Sequence, residues 1–149
     1  MESDLYVPDA NVFLEYIYDR PLKHHAQQII HDAVLDKIRL IVPSLLLDEI
    51  TEVLCGNLNN LEEVKLHIQY LDTLIKEGIL NIIIPDSAVR IEAITIARTG
   101  NPKSGYPELT DSLYHALAIL NGASFITNDQ RQIAKVKAFG YIMPLSEYV

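Results

Sequence analysis

The chain has 149 residues, 49% of them hydrophobic, which matches one ordinary domain with enough apolar content to bury a core. Its 12 Lys and Arg stand against 20 Asp and Glu, a formal net charge of -8, the opposite of the footprint of a protein that coats nucleic acid. Net charge governs solubility and long-range steering rather than the field at a site, and a bound divalent cation inverts that local field, so an acidic chain can still act on a polyanion. The single cysteine, Cys55, excludes an internal disulfide, argues against a thiolate metal site, and reads as a small buried hydrophobe. The opening MESDLYVPDA has neither the basic stretch nor the long apolar run of a secretory signal, and no apolar stretch approaches the ~20 residues that span a bilayer. A soluble cytoplasmic protein is expected.

In chain order, Leu5 to Val7 forms a strand-length apolar run that stops at Pro8 and Asp9, with Asn11 following where a helix can begin. Helical spacing over His24 to Leu35 leads to a strand at Arg39 to Val42, then to helices at Leu45 to Leu58 and Leu61 to Glu77. A strand at Leu80 to Ile84 follows, and its continuous branched run suits a position covered on both faces. Ala88 to Ala97 is helical, TGNPKSGYPE is an ordered or mobile surface loop, and Leu113 to Leu120 is helical with an apolar stripe of Leu113, Ala116, Leu117 and Leu120. Ser124 to Thr127 and Tyr141 to Met143 are strands flanking a helix over Gln130 to Phe139. Strands alternating with helices imply an α/β fold around a mostly parallel sheet, and no repeat or linker divides residues 1–149.

Ligands of open parallel sheets bind beyond the carboxyl ends of the strands. Asp9 follows the first strand, Asp129 follows SFIT, and Asp111 begins the helical pattern of LTDSLYHALA. The helix PSLLLDEITEVL carries three acids, and at ~100° per residue Glu49 flanks the core stripe of Leu46, Ile50, Val53 and Leu54 while Asp48 and Glu52 point outward. Asp at a helix start is also a favoured cap, which alone accounts for Asp9, Asp111 or Asp129 taken singly. Together, carboxylates converging on one pocket repel unless a cation neutralises them, and an all-oxygen ligand set selects Mg²⁺ or Mn²⁺ over zinc.

At these residues the sequence resembles the PIN-domain family, including the VapC-type toxins of toxin-antitoxin modules, almost end to end. The resemblance rests on VPDANVFLEY, VPSLLLDEITEVL and LTDSLYHALAILNGASFITNDQ in that order. It implies a three-layer α/β/α sandwich, frequent homodimers, and a metal-dependent endoribonuclease that leaves a 5′-phosphate and a 3′-hydroxyl. It places the metal-binding, catalytic acids at Asp9, Glu49, Asp111 and Asp129, with Asn11 and Thr127 as supporting polar residues. A cognate antitoxin is the partner that the toxin branch implies.

Glu108, three residues before Asp111, reads as a solvated loop charge. Lys103, Arg131 and Lys23 are candidate phosphate contacts. His24, His25 and His31 lack the i, i+4 pair of a strong zinc motif. His115, one helical turn after Asp111, is placed to hydrogen-bond that carboxylate or to pack at the core margin. The chain has no GxGxxG or GxxxxGK[ST] loop, no Asp-x-Asp after the first strand, and no Lys after the last one, which disfavours nucleotide-binding, dehalogenase and receiver readings. The alternative to the enzyme is a PIN fold used as a binding or assembly module with weak or inert acids, and the apolar pair Leu45 to Leu58 and Leu61 to Leu74 offers a dimer surface in either case.

Overall fold

The computed structural model describes residues 4–57 and 60–149. In chain order the elements are β1 (Asp4–Pro8), α1 (Ala10–Ile17), α2 (Lys23–Val34), β2 (Ile38–Pro43), α3 (Leu45–Asn57), α4 (Leu61–Lys76), β3 (Leu80–Ile83), α5 (Ser87–Thr99), α6 (Leu109–Asn121), β4 (Ser124–Thr127), α7 (Gln130–Val136) and β5 (Ile142–Pro144). The strands pair in the order β3-β2-β1-β4-β5, and every pair is parallel.

Parallel neighbours need crossover connections, and these are right-handed. Moving from β1 to β2 to β3 places α1 to α4 on one face; the return from β3 to β4 and the step to β5 place α5 to α7 on the other. The result is the three-layer α/β/α sandwich expected from the sequence. The direction of winding reverses between β1 and β4, which creates a crevice beyond their carboxyl ends, the place where such sheets bind ligands. Asp9 leaves β1 there, and Asn128 and Asp129 leave β4.

The core lies on both sheet faces. Val7, Leu40, Val42, Leu80, Phe125 and Ile126 are buried in the strands, against Phe13, Ile29, Leu46, Ile50 and Leu54 from the first face and Ile96, Tyr114 and Leu117 from the second. Helix α3 buries Leu46, Ile50 and Leu54 and leaves Val53 half-buried, Glu49 half-buried, and Asp48 and Glu52 exposed, as the helical wheel requires. Leu58, the expected end of this helix, lies outside the described residues.

Three sequence expectations need correction, and the structure chooses between the alternatives of two more. The segment 10–17, read only as a place where a helix can begin, is a full helix. Helix α6 starts at Leu109 rather than Leu113, and Leu120 is 47% exposed instead of completing an apolar stripe. The cause is that α6 crosses the sheet beneath α5, packing on β1, β2 and β4, so Ser112, Tyr114, His115, Ala116, Leu117 and Ala118 are all buried and no single stripe exists. Of the two roles open to His115, packing at the core margin is the one it takes: it is buried, its Nε2 bonds the Gly140 carbonyl at 2.7 Å, and its ring packs on Phe125 and Phe139. Cys55 is exposed, since it falls next to Leu54 on the outer side of α3. The loop after α5 is an ordered turn, with Asn101 and Gly105 bridging through both backbone amides at 2.9 and 2.8 Å. Gly100 permits that closure, because a Cβ there would lie 2.5 Å from the Gly105 carbonyl oxygen.

Candidate active site

The Asp9 backbone N–H bonds the Ile126 carbonyl at 3.0 Å, so the end of β1 is tied to β4 before α1 begins. Its side chain caps α1 by accepting the Val12 N–H at 3.2 Å, and it also takes the Asn11 backbone N–H. The Thr127 hydroxyl, fully buried at the end of β4, bonds the same carboxylate. Thr127 Oγ1 in turn accepts the Asp129 N–H at 3.2 Å, which makes one hydroxyl the bridge between two acids. Asp9 is only 6% exposed, and burial raises its pKa to about 7 against the opposing hydrogen bonds.

Asp129 is exposed and caps α7, with Oδ1 accepting from Arg131 N at 3.0 Å and Gln132 N at 3.2 Å. Asp111 differs from both. It sits in the first turn of α6, whose cap position is Glu108, and its carboxylate has no capping role. Its pKa is raised to about 6 by burial first, then by Glu108, Glu49 and Asp129, with Lys135 alone opposing. Asp9 also senses it. Asp111 is therefore the electrostatic centre of the group: Asp9, Glu49, Glu108 and Asp129 all act on it or feel it.

Glu49 projects from α3, and its Oε1 accepts a short hydrogen bond from the Tyr114 hydroxyl. Burial raises its pKa, the Tyr114 bond works against this, and Glu108 adds to it. Tyr114 itself is buried, stacked on Phe125, and its own pKa is pushed up by burial and by Glu49. Sequence reasoning missed Tyr114; the available signal was its place one helical turn after Asp111, since a buried phenol needs a partner. Glu108, read from sequence as a solvated loop charge, is exposed as expected, yet it is the strongest charged neighbour of Asp111. Lys135 was also missed, being the second Lys or Arg of a helix whose first, Arg131, was taken for a phosphate contact.

The remaining predicted residues lie further out. Lys103 and Arg131 are exposed; the Lys103 backbone is held in its turn by Asn101 Oδ1 at 2.8 Å. Lys23 is engaged with Asp19 at 3.3 Å and lies over the Tyr16 ring. A cavity of about 390 Å³ lined by Ile83, Ala88, Leu117 and Leu120 opens near the other end of α6 and includes none of these acids.

The acids share one field in which Lys135 is the one opposing charge felt by Asp111, and among the described residues no ion pair holds them. Among the described residues the ion pairs are Lys23 with Asp19, Lys65 with Glu62 and His67 with Glu63, none of which involves the site. Nor, among the described residues, do three His, Cys, Asp or Glu side chains already stand as a metal-holding group. The acids are gathered in one field but not closed around an ion. Their raised pKa values, mutual repulsion and oxygen-only donor set fit a hard divalent cation, which relieves that repulsion on binding.

Known proteins resemble this arrangement in fold. A toxin-antitoxin complex from Klebsiella pneumoniae is 14% identical over 96% of this chain and 98% of that one, with a TM-score of 0.65. VapBC2 from Rickettsia felis, bound to a DNA fragment from its promoter, is 16% identical over 94% and 96%, with a TM-score of 0.67. VapBC-1 from nontypeable Haemophilus influenzae is 16% identical over 96% and 99%, with a TM-score of 0.66. Comparison with curated protein sequences gives no match. The profile of the PIN domain matches residues 6–138, nearly the whole length in which these acids and their supports lie, and the chain belongs to the PIN domain family.

Proposed function

We propose that this protein is a Mg²⁺- or Mn²⁺-dependent endoribonuclease, the toxin of a toxin-antitoxin module. The observation that carries the reading is the group of acids centred on Asp111, two of them with pKa raised to about 6 and about 7, at the crevice where the sheet reverses its winding. Membership of the PIN family supports nuclease chemistry, and the toxin-antitoxin complexes among its structural relatives support an antitoxin partner.

In this reading Asp9, Glu49, Asp111 and Asp129 hold the cation. When bound, the cation supplies charge neutralisation at the scissile phosphodiester and lowers the pKa of water so that a nucleophile exists at neutral pH. The protein's own groups set the geometry. Thr127 and the Asn11 N–H fix the Asp9 carboxylate, and Tyr114 fixes Glu49, so each acid presents a defined oxygen to the crevice. Lys103 lies on the connection that leads into Asp111, and Arg131 in the first turn of α7 just past Asp129, where each can meet the RNA backbone as it crosses the crevice. The homodimer belongs to the same reading.

Asp9→Asn, assayed for Mn²⁺-dependent cleavage of an RNA panel, tests it directly: loss of cleavage is expected, and undiminished activity removes Asp9 from the centre. Thermal melting with Mg²⁺ or Mn²⁺ tests the cation by mass action, and a melting temperature that does not move returns the fold to a binding module.

A further inference from the structure

Outside the acids described above, α1 buries one more carboxylate, Glu15, at 5% exposure. Both of its oxygens are engaged. Oε1 accepts the Asn128 side-chain amide at 2.6 Å, and Oε2 accepts the Leu22 N–H at 3.0 Å across the turn between α1 and α2. The Glu15 carbonyl also accepts the Arg20 N–H at 3.0 Å, so the turn is bound to this residue by backbone as well. A buried carboxylate is costly unless donors satisfy it, and these two N–H groups do so without a cation.

Asn128 stands between Thr127, whose hydroxyl holds Asp9, and Asp129, which caps α7. The turn it occupies joins the supports of two acids, and the side-chain bond that anchors it runs to Glu15, 113 residues earlier in the chain. Helix α1 therefore presents Asp9 at its cap and, from its second turn, grips the segment that carries Asp129.

We propose that Glu15 is a positioning residue for the site: through Asn128 it fixes the turn from Thr127 to Asp129 and so sets the separation of Asp9 and Asp129. Its kinetic consequence rests on the ribonuclease reading; its structural consequence does not. Displacement of a reacting group by about 1 Å costs on the order of a hundredfold in rate, which is the scale of loss expected when the grip is broken.

The test exchanges the partners. Asn128→Asp sets a carboxylate against Glu15 and breaks the bond by repulsion. The double variant Glu15→Gln/Asn128→Asp restores it in reverse, the amide now donating to the new carboxylate while its oxygen still accepts from Leu22 N–H. Two readouts are taken: kcat and KM for Mn²⁺-dependent RNA cleavage, and amide hydrogen exchange at Arg131 and Gln132, whose N–H groups Asp129 accepts. The expected result is a fall in kcat of about a hundredfold in Asn128→Asp with KM little changed, faster exchange at the two amides, and recovery of both in the double variant, which retains the added carboxylate. Should Asn128→Asp fail to fold, Glu15→Ala frees Asn128 and must show the same fall and the same faster exchange. Unchanged kcat and exchange in the single variants, or no recovery in the double variant, overturns the proposal. If the native protein cleaves no RNA with Mn²⁺, the ribonuclease reading falls, and the exchange arm still decides whether Glu15 holds the turn.

Discussion

Asp9 and Asp32 are both buried aspartates, at 6% and 9% exposure, yet they lie toward opposite ends of the strands and in opposite company. Asp32, near the end of α2 and the start of β2, has a donor for each oxygen: the Tyr148 hydroxyl at 2.6 Å and Gln28 Nε2 at 2.7 Å. Tyr148 packs edge-on against Tyr6, and its carbonyl accepts from His25 Nδ1 at 2.8 Å, so this carboxylate staples the last residues of the chain to α2. Asp9 also accepts hydrogen bonds, but it shares its field with Asp111, which shares its own with Glu108, Glu49 and Asp129. Burial alone does not mark a functional acid. Asp32 meets two donors; Asp9 meets three donors and also the field of Asp111, a repulsion that a cation would relieve in the reading proposed above.

The largest expected effect breaks the acidic side of this contrast. Asp111→Asn removes the charge on which the others act, and under the proposed function Mn²⁺-dependent RNA cleavage should fall by about two orders of magnitude or more, since a catalytic cation would contribute several kcal/mol to the transition state. Asp32→Asn should leave the cleavage rate of the folded protein unchanged. Equal losses in the two variants would erase the distinction between the two ends of the sheet.

The same pair gives opposite signs in stability. The folded pKa of Asp9, about 7, stands above its ordinary value of 3.8. The unfolded chain therefore releases this proton first as pH rises, and the contribution of Asp9 is fully present below about pH 4 and lost as pH climbs through about 7. The shift of roughly three units corresponds to on the order of 4 kcal/mol. Metal-free protein should lose melting temperature between pH 5 and pH 8, and Asp9→Asn should flatten that slope and stabilise the protein at pH 8. Asp32→Asn instead weakens two bonds to a carboxylate and should cost about 1.5–3 kcal/mol at pH 7. Melting curves of both variants at the two pH values decide the matter; a native slope that rises with pH contradicts the burial-raised pKa of Asp9.

The contrast also explains what was legible in the sequence. Asp9, Glu49, Asp111 and Asp129 could be singled out because position carries them: strand ends, a helix start and the margin of a helical stripe are all local, and the order of three motifs supplied the rest; the fold brings them into one field. The five strands were found for the same reason, each being a short apolar run bounded by Pro, Gly, Asn or Asp. Tyr114 and Glu15 were not, because the hydrogen bonds that tie them to Glu49 and Asn128 join residues 65 and 113 positions apart. On a helical wheel Tyr114 is one more buried side chain, and Glu15 is a polar residue among apolar ones. Leu120 failed for a related reason: a stripe presumes one buried face, and α6 lies between the sheet and α5. The capping reading of Asp111 was removed by a shift of four residues in where α6 begins, which gave the cap position to Glu108.

Tyr114→Phe sharpens the comparison at a smaller scale, because Glu49 and Asp32 each accept from a tyrosine hydroxyl, at the site and at the staple. Removing the Tyr114 hydroxyl frees Glu49 from its fixed orientation and raises its pKa further, since that bond favours the charged form. Cleavage should fall about tenfold, the range seen when an outer partner of a metal ligand is lost, with the pH profile moved upward. Tyr148→Phe should cost about 1–3 kcal/mol of stability and leave cleavage where it was. A Tyr114→Phe variant with native rate and native pH profile would place Glu49 outside the working set.

The smallest effect concerns the cations at the two ends. Lys103 and Arg131 are exposed beside the segments that deliver Asp111 and Asp129, whereas Lys37 is equally exposed next to Asp32, where its backbone N–H bonds the Asp32 carbonyl at 2.9 Å. Against a net charge of -8, RNA approaches most readily where local cations offset the long-range repulsion. Each phosphate contact releases counterions, so Lys103→Ala and Arg131→Ala should each raise KM for single-stranded RNA about two- to threefold at low salt and reduce the slope of log affinity against log salt by about 0.7. The difference should vanish near 1 M salt, where screening acts over about 3 Å. Lys37→Ala, which makes the same change in net charge, should do nothing at any salt concentration. An equal effect from Lys37→Ala would mean that RNA responds to total charge and not to the end of the sheet that holds the acids.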